Sequence, residues 1–341
     1  MNERKTGVDI LGFGPIGRDL ARKLVAPGSR FYVASISDSS ITIYPKDGSQ
    51  VLQAIKQKEE TKKFKLSSLK EFKRGPEAET LQGVEYSGAS IAVDVTNSDY
   101  RKPEEAGKRA EVALGAGKHF VSASKVALAN YFSQILEQAR KKELFIGFGA
   151  TICGARHAIK VVESLPPGEV QSALGVLNAS TTLILSTLEE SRTLSFEDAC
   201  SEATKNGILE SDWSIDLDGL DAAAKTSIVA NVLFPNIHVS INDVSRRGIR
   251  DKEASEMIES VKREAPQRKI RLVSEIENGK ASVQPRILPS DSPLVVHGRF
   301  NVVSLVTANL GEISVKSLGG GVSLTSSILL SDINEAVGRK I

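Results

Sequence analysis

Over roughly the first half of the chain, short apolar runs alternate with stretches of helical spacing. The run 7–11 (GVDIL) predicts a buried strand, followed by a glycine-rich turn and a helix with Ile16, Leu20 and Leu24 on one stripe. Residues 31–36 (FYVASI) predict a second strand that runs out at Ser37, Asp38, Ser39 and Ser40. Between positions 45 and 75 the chain is rich in Lys, Glu and Gln, which predicts a solvated helical or loop excursion. Strands are expected at 91–95 (IAVDV) and 119–124 (HFVSAS), and helices around 104–115 and near 130–141, the latter running into the apolar segment 144–150. Strands alternating with helices argue for an α/β unit whose parallel sheet is covered on both faces.

After Gly154 the texture changes. A helix at 155–165 is expected to end at Pro166-Pro167. Strands are expected at 169–177, 237–241, 270–276 and 299–307, and helices at 182–190, 195–206 and 220–233. This pattern reads as α+β. The tail differs again, with Gly319-Gly320-Gly321 opening a final helix. The expected division is 1–150, 151–310 and a tail 311–341 that returns to the first domain.

A length of 341 residues suits two or three domains. With 40% hydrophobic and 25% charged residues the chain reads as a soluble globular protein, and a net charge of +2 gives no reason to expect a nucleic acid or an anionic membrane as partner. The first residues carry no signal-peptide core, and no apolar run reaches the ~18 residues of a membrane span. Two cysteines, Cys153 and Cys200, make no disulfide framework or zinc spacing, so the cytoplasm is the expected compartment.

Between the first strand and its helix lies Gly12-Phe13-Gly14-Pro15-Ile16-Gly17, a G-x-G-x-x-G. The first glycine permits the turn, the second lets backbone approach a pyrophosphate, and the third lets helix and strand pack closely. The helix N-terminus then offers free N–H groups and the positive end of its dipole. Asp38 closes the second strand, where a carboxylate meets a ribose 2′-hydroxyl. The plainer alternative is a glycine turn in some other α/β protein, but the strand and amphipathic helix around the motif favour a Rossmann-type, doubly wound dinucleotide-binding sheet.

The second candidate is 210–225, ESDWSIDLDGLDAAAK. Asp218 or Gly219 is expected to cap a helix on which Asp221 and Lys225 stand four apart. An exposed ion pair is the bland reading. Against it, Lys225 shares a stripe with Ile228, Val229 and Val232, and a lysine on an apolar stripe needs a partner or a task. Glu210 and Asp216 add carboxylates suited to an ammonium group. Lys125 follows a strand, on the sheet edge where ligands of open α/β sheets bind. The histidines His119, His157, His238 and His297 form no ligand spacing and read as surface or packing residues. Cys153 lacks the context of a nucleophile.

Several segments together resemble the homoserine dehydrogenases: GFGPIGRDLARKL, ISDSS, VSASKVALANYF, LNASTTLIL, GILESDWSIDLDGLDAAAKTSI and LGGGVSLTSSILLSDI. The resemblance covers nearly the whole length and is most specific at 207–228; it is to the short form without a regulatory domain. It implies NAD- or NADP-dependent hydride transfer between aspartate 4-semialdehyde and L-homoserine, a step toward threonine, methionine and isoleucine. It implies Lys225 as catalytic lysine with Asp221 beside it, Lys125 as a second catalytic lysine near the nicotinamide with Ser124, and Glu210 and Asp216 as substrate-binding carboxylates. It further implies Thr181 and Thr182 in the substrate pocket, Val95, Thr96 and Asn97 as a cofactor loop, and Gly321 with the tail helix returning to the nucleotide domain. A dimerisation sheet in the α+β substrate domain, hence a homodimer, is implied as well.

The chain departs from the family at 149–157, where Gly149 stands in place of an acidic residue of a monovalent-cation site, which puts that cation in doubt; no other metal is expected. Two other readings stand beside this one. An aspartate-semialdehyde dehydrogenase needs a cysteine nucleophile, and a silent nucleotide-binding regulator would keep the fold alone. For the cofactor, Ser39 stands where many relatives carry a phosphate-gripping arginine. NAD is therefore expected to serve at least as well as NADP, unless Lys46 or a lysine of the 56–63 run reaches over.

Overall fold

The computed structural model describes residues 5–39, 41–61, 64, 73–74, 80–191, 193–209, 212–264 and 267–338. The chain divides into two compact units, Met1–Thr151 with Gly321–Ile341, and Ile152–Gly320.

Among the described residues the first unit holds seven strands: β1 (Thr6–Leu11), β2 (Phe31–Ser37), β3 (Thr42–Tyr44), β4 (Lys73–Arg74), β5 (Ile91–Asp94), β6 (His119–Ser122) and β7 (Ile146–Gly147), in the spatial order β4-β3-β2-β1-β5-β6-β7. The five strands from β2 to β7 in that row pair in parallel, and β3 and β4 form an antiparallel edge. Val8, Ile10, Ile91 and Val93 are fully buried, as parallel strands covered on both faces require. The chain winds from β1 outward to β4 and returns to β5 on the other side of β1. That reversal opens a crevice at the carboxyl ends of β1 and β5, the place where such sheets take ligands.

Local details depart from the sequence pattern. The polar excursion begins with a packed helix, Gly48–Thr61, because Val51, Ala54 and Ile55 recur at helical spacing and are buried. The strand expected at 119–124 stops at Ser122, and the next helix, Lys125–Lys141, starts earlier than position 130. Tyr131 leaves helical geometry inside it (φ −129°, ψ 28°), so the two halves differ in phase. The tail helix Val322–Gly338 belongs to this unit. Lys23 of the helix Pro15–Leu24 reaches Asp19 at 2.6 Å and the Ser323 carbonyl at 3.1 Å, and Asp332 accepts from the Gly149 N–H at 2.9 Å.

The second unit is a six-stranded sheet of β8 (Val170–Val176), β9 (Ser245–Arg246), β10 (Arg268–Glu277), β11 (Lys280–Pro289), β12 (Phe300–Thr307) and β13 (Glu312–Leu318), ordered β13-β12-β8-β10-β11-β9. All pairings are antiparallel except β11 with β9. Because β13 completes this sheet, the second unit runs to Gly320 and not to residue 310. The β10–β11 hairpin turns at Asn278 (φ 50°) and Gly279 (φ 75°), the left-handed pair that a two-residue turn demands.

Residues 237–241 are not a strand. The Asn231 side chain takes the Val239 N–H (3.1 Å) and donates to the Val239 carbonyl (2.6 Å), so this backbone is satisfied without a ladder partner. One sheet face meets the helix Leu220–Leu233, with Thr226 and Ser274 hydroxyls 2.8 Å apart; Leu294 and Val296 pack on Val176, Val273 and Val302.

Candidate active site

The nucleotide half lies at the crevice of the first unit. Gly12 leaves β1 with φ 98°, and its N–H binds the Ser37 carbonyl at 2.9 Å. A Cβ on Gly12 would lie 2.8 Å from Val95 backbone, and one on Gly17 would lie 2.3 Å from the Gly12 carbonyl oxygen. A Cβ on Gly14 would meet nothing within 4 Å, so it would project into open space. These are the three roles that a pyrophosphate-binding turn gives its glycines. Pro15 opens the helix, and Ile16 and Gly17 follow in its first turn.

A cleft of about 550 Å³ opens here, lined by Gly12, Phe13, Gly14, Asp38, Ser39, Val95, Thr96 and Asn97 of the expected set. Six further residues line it: Leu11, Arg18, Ser37, Lys58, Glu105 and Arg109. The Asp94 carboxylate, fully buried at the end of β5, accepts from the Thr96 N–H (2.9 Å), the Thr96 hydroxyl (2.6 Å) and Arg109 Nε (2.9 Å). This pins the 95–97 loop against the cleft. Asp38 accepts from the Ile41 N–H at 3.1 Å and forms an ion pair with Lys58. Lys58 sits 4.9 Å over the Phe64 ring, which stacks on Phe13 at 5.6 Å. Ser124 precedes the helix Lys125–Lys141 and is buried. The Lys125 N–H reaches the Ser98 hydroxyl at 3.2 Å, and Gly321 (φ 119°) begins the tail of this unit.

The substrate half lies in the second unit. The helix Leu220–Leu233 is buried almost all round, not on one stripe. Gly219 (φ 78°) occupies its N-cap position, and the Asp218 carboxylate does not cap it but grips Arg250 through both oxygens at 2.7 and 2.6 Å. Asp221 and Lys225 form the expected pair at 2.8 Å, both with about nine-tenths of the side chain buried. Lys225 Nζ also donates to the Leu177 carbonyl at 2.8 Å. Asn178 donates to Asp216 at 2.6 Å and to Asp221 at 2.9 Å. Asp216, Asp221 and Lys225 thus form one network.

Thr181 and Thr182 are buried in the first turn of the helix Ala179–Glu190, and both hydroxyls donate to the Asn178 carbonyl, at 3.1 and 2.8 Å. Only their acceptor capacity is left for a ligand. Glu210 lies outside the described residues.

The remaining candidates fall out on geometry. His119 accepts from the Phe145 N–H at 3.0 Å, and burial holds its pKa below the usual histidine range. Burial pushes the Cys200 thiol up to about 11, away from nucleophile chemistry. Cys153 is buried with φ 36°. Among the described residues no three His, Cys, Asp or Glu side chains converge to hold a metal ion, and no helix is long and apolar enough to cross a membrane.

A family model described as homoserine dehydrogenase matches residues 159–333. The chain is 35% identical over 339 residues to the homoserine dehydrogenase of Pyrococcus horikoshii, covering 97% of each chain. The chain belongs to the homoserine dehydrogenase family. It is also 33% identical to the Methanocaldococcus jannaschii homoserine dehydrogenase, over 95% of this chain and 96% of that one. A solved hyperthermophilic archaeal homoserine dehydrogenase in complex with NADPH superposes with a TM-score of 0.82 at 34% identity, over 98% of both chains. Within this homoserine dehydrogenase fold, Asn178 and Lys58 are two of the polar residues that the sequence pattern does not single out. Asn178 was legible only as a residue before a helix, and Lys58 only as one lysine in a polar run.

Proposed function

We propose that the chain catalyses reversible hydride transfer between NAD(P)H and aspartate 4-semialdehyde, giving L-homoserine. The observation that carries this reading is the buried Asp221–Lys225 pair, tied through Asn178 to a second carboxylate. It stands in a chain whose other unit holds a glycine turn open to a dinucleotide.

When bound, the nicotinamide coenzyme supplies or takes the hydride. The proton is left to the side chains. Two of the three Lys225 N–H bonds are engaged, by Asp221 and the Leu177 carbonyl, and the third serves the oxygen on C4 of the substrate. As the aldehyde is reduced, Lys225 gives that oxygen a proton; as the alcohol is oxidised, it takes the proton back. Asp221 fixes the ammonium in place. Asp216, with Glu210, takes the amino-acid ammonium. Thr181 and Thr182 accept from the substrate. Ser124, Lys125 and Gly321 would help to hold the coenzyme.

Both NAD and NADP fit this cleft. Asp38 suits ribose hydroxyls, and Lys58 brings the cation that Ser39 lacks. The NADPH held by the archaeal relative supports a place for the phosphate. The working form is a cytoplasmic homodimer joined through the sheet of the second unit.

The test is the near-ultraviolet absorbance of reduced nicotinamide, followed with purified protein, L-homoserine and each coenzyme. Reduction with homoserine and none with simple alcohols is the expected result. Tight coenzyme binding without turnover would instead identify a regulator that kept the fold.

A further inference from the structure

We propose that Asn178 is a positioning residue of the reaction: its side-chain amide sets the spacing of Asp216 and Asp221 and, through Asp221, the place of the Lys225 ammonium. The inference rests on Lys225 being the group that handles the proton.

Asn178 stands two residues past β8, is 2% exposed, and spends every polar atom of its side chain. Its oxygen accepts from the Thr181 N–H at 2.8 Å, which caps the helix Ala179–Glu190. Its two amide hydrogens go to different carboxylates, Asp216 Oδ1 at 2.6 Å and Asp221 Oδ2 at 2.9 Å. A cap needs only the oxygen. Serine and aspartate cap as well as asparagine, so the amide nitrogen is chosen by something else.

An amide is the one short side chain that offers two donors and an acceptor without charge. A lysine or arginine in its place would hold both carboxylates but cancel the negative charge that an ammonium substrate needs. Asn178 holds them and leaves that charge available. The oxygen of Asp221 that takes Asn178 also takes Lys225, so amide and ammonium fix one carboxylate oxygen from two sides.

The preceding residue completes the arrangement. The Leu177 carbonyl accepts from Lys225 Nζ at 2.8 Å and from Asn301 Nδ2 at 2.9 Å. Asn301 is fully buried, and a Cβ on Gly319 would lie 2.3 Å from its side-chain oxygen, so that glycine lets the backbone pack onto it. The 177–178 dipeptide therefore grips both members of the ion pair, the ammonium through its main chain and the carboxylate through its side chain.

The experiment separates cap from amide with two variants in the full-length protein. Asn178→Ser keeps a cap and loses both donations without adding charge. Asn178→Asp keeps the cap and the shape, loses both donations while ionised, and regains one when protonated. Each is measured for thermal midpoint, coenzyme KM, and kcat/KM for homoserine across pH, beside Lys225→Ala.

For Asn178→Ser we expect a near-parental coenzyme KM, a midpoint lowered no further than in Lys225→Ala because two carboxylates each lose a partner, and kcat/KM for homoserine down roughly 10–100-fold with an altered pH profile, as misplacement of a reacting group by about an ångström produces. For Asn178→Asp we expect a larger loss at high pH that narrows as pH falls, because a carboxyl beside two others titrates above the ordinary range and its protonated form donates again. If both variants keep the parental kcat/KM and pH profile, Asn178 is a cap alone and the proposal fails. It fails equally if the loss in Asn178→Ser is matched by a lowered midpoint with a normal pH profile. Lys225→Ala with near-parental turnover would overturn the reading of the lysine itself, an outcome distinct from either.

Discussion

Lys58 and Asp38 form an ion pair at the cleft edge of the nucleotide unit, with side chains only 13% and 6% exposed. Asp38 alone would repel a coenzyme 2′-phosphate. Paired, the two carry no net charge, and the Lys58 ammonium can turn from the carboxylate to a phosphate. The expectation that NAD serves at least as well as NADP turned on Ser39 lacking a charge; Lys58, in the last turn of the helix Gly48–Thr61, changes that balance. Lys58→Ala should lower efficiency with NADP relative to NAD by about 1.5–3 kcal/mol, the worth of one charged hydrogen bond. Efficiency with NAD should change little. Steady-state rates with both coenzymes decide it, and a ratio that does not move would place the phosphate elsewhere.

Lys225 carries the second prediction. Lys225→Ala should lower kcat by roughly 10²–10⁴-fold, the usual loss for a positioned acid or base. Coenzyme affinity should hold, because Lys225 belongs to the second unit and not to the nucleotide unit. Removing the lysine also leaves Asp221 with one fewer partner in a buried place, so the thermal midpoint should fall. Lys125→Ala run in parallel separates the two lysines: loss there with retention at Lys225 would reverse the assignment.

Much of this site was legible in the sequence because its chemistry is carried by local patterns. The glycine turn, Asp38, and Asp221 with Lys225 are each set by spacing within one turn or one helix. What was not legible depends on residues far apart in the chain. Lys58 meets Asp38 across 20 positions and Asn178 meets Asp216 across 38, and neither pairing leaves a local trace. Strand β11 was hidden by Pro285 and Pro289, which argue against a strand although this one has room for them. Residues 237–241 have the apolar alternation of a strand, but the Asn231 side chain takes the place of a neighbouring ladder. The helix Lys252–Glu264 is so charged that its buried stripe of Ala254, Ile258 and Val261 passed unread.

Acid should loosen the join between the first and last helices of the nucleotide unit. Hydrogen bonds from Lys23 and Ser326 hold the Asp19 carboxyl below its ordinary value of 3.8. A depressed carboxyl contributes stability that is present above its unfolded pKa and lost as pH falls through the folded one. The contribution is thus complete at neutral pH and disappears below about pH 4. Asp19 is partly exposed, so the effect is modest. Asp19→Asn should lower the urea midpoint at pH 7 and show a shallower fall below pH 4 than the parent. Equal falls in both proteins would mean that other carboxylates govern acid unfolding.

The last prediction concerns assembly. On β12 the even positions share one face, and Phe300 pairs directly with Leu318 of β13 while Val306 pairs with Glu312. Phe300, Val306, Leu310 and Leu318 are 38%, 39%, 56% and 50% exposed, so one hairpin holds half of the large exposed hydrophobic residues described. Lys316 lies with its ammonium 4.6 Å from the Phe300 ring, so Val306 and Leu318 are the apolar positions of that face to substitute without disturbing that contact. A homodimer through this sheet would cover them, each contributing about 1.5–3 kcal/mol if fully buried. The parent should therefore scatter light as twice 36.6 kDa. Val306→Lys combined with Leu318→Lys should shift the mass toward a single chain while unfolding stays cooperative, because both positions already face water within one chain. A monomeric parent, or a double variant that remains a tight dimer, would rule out this face as the interface.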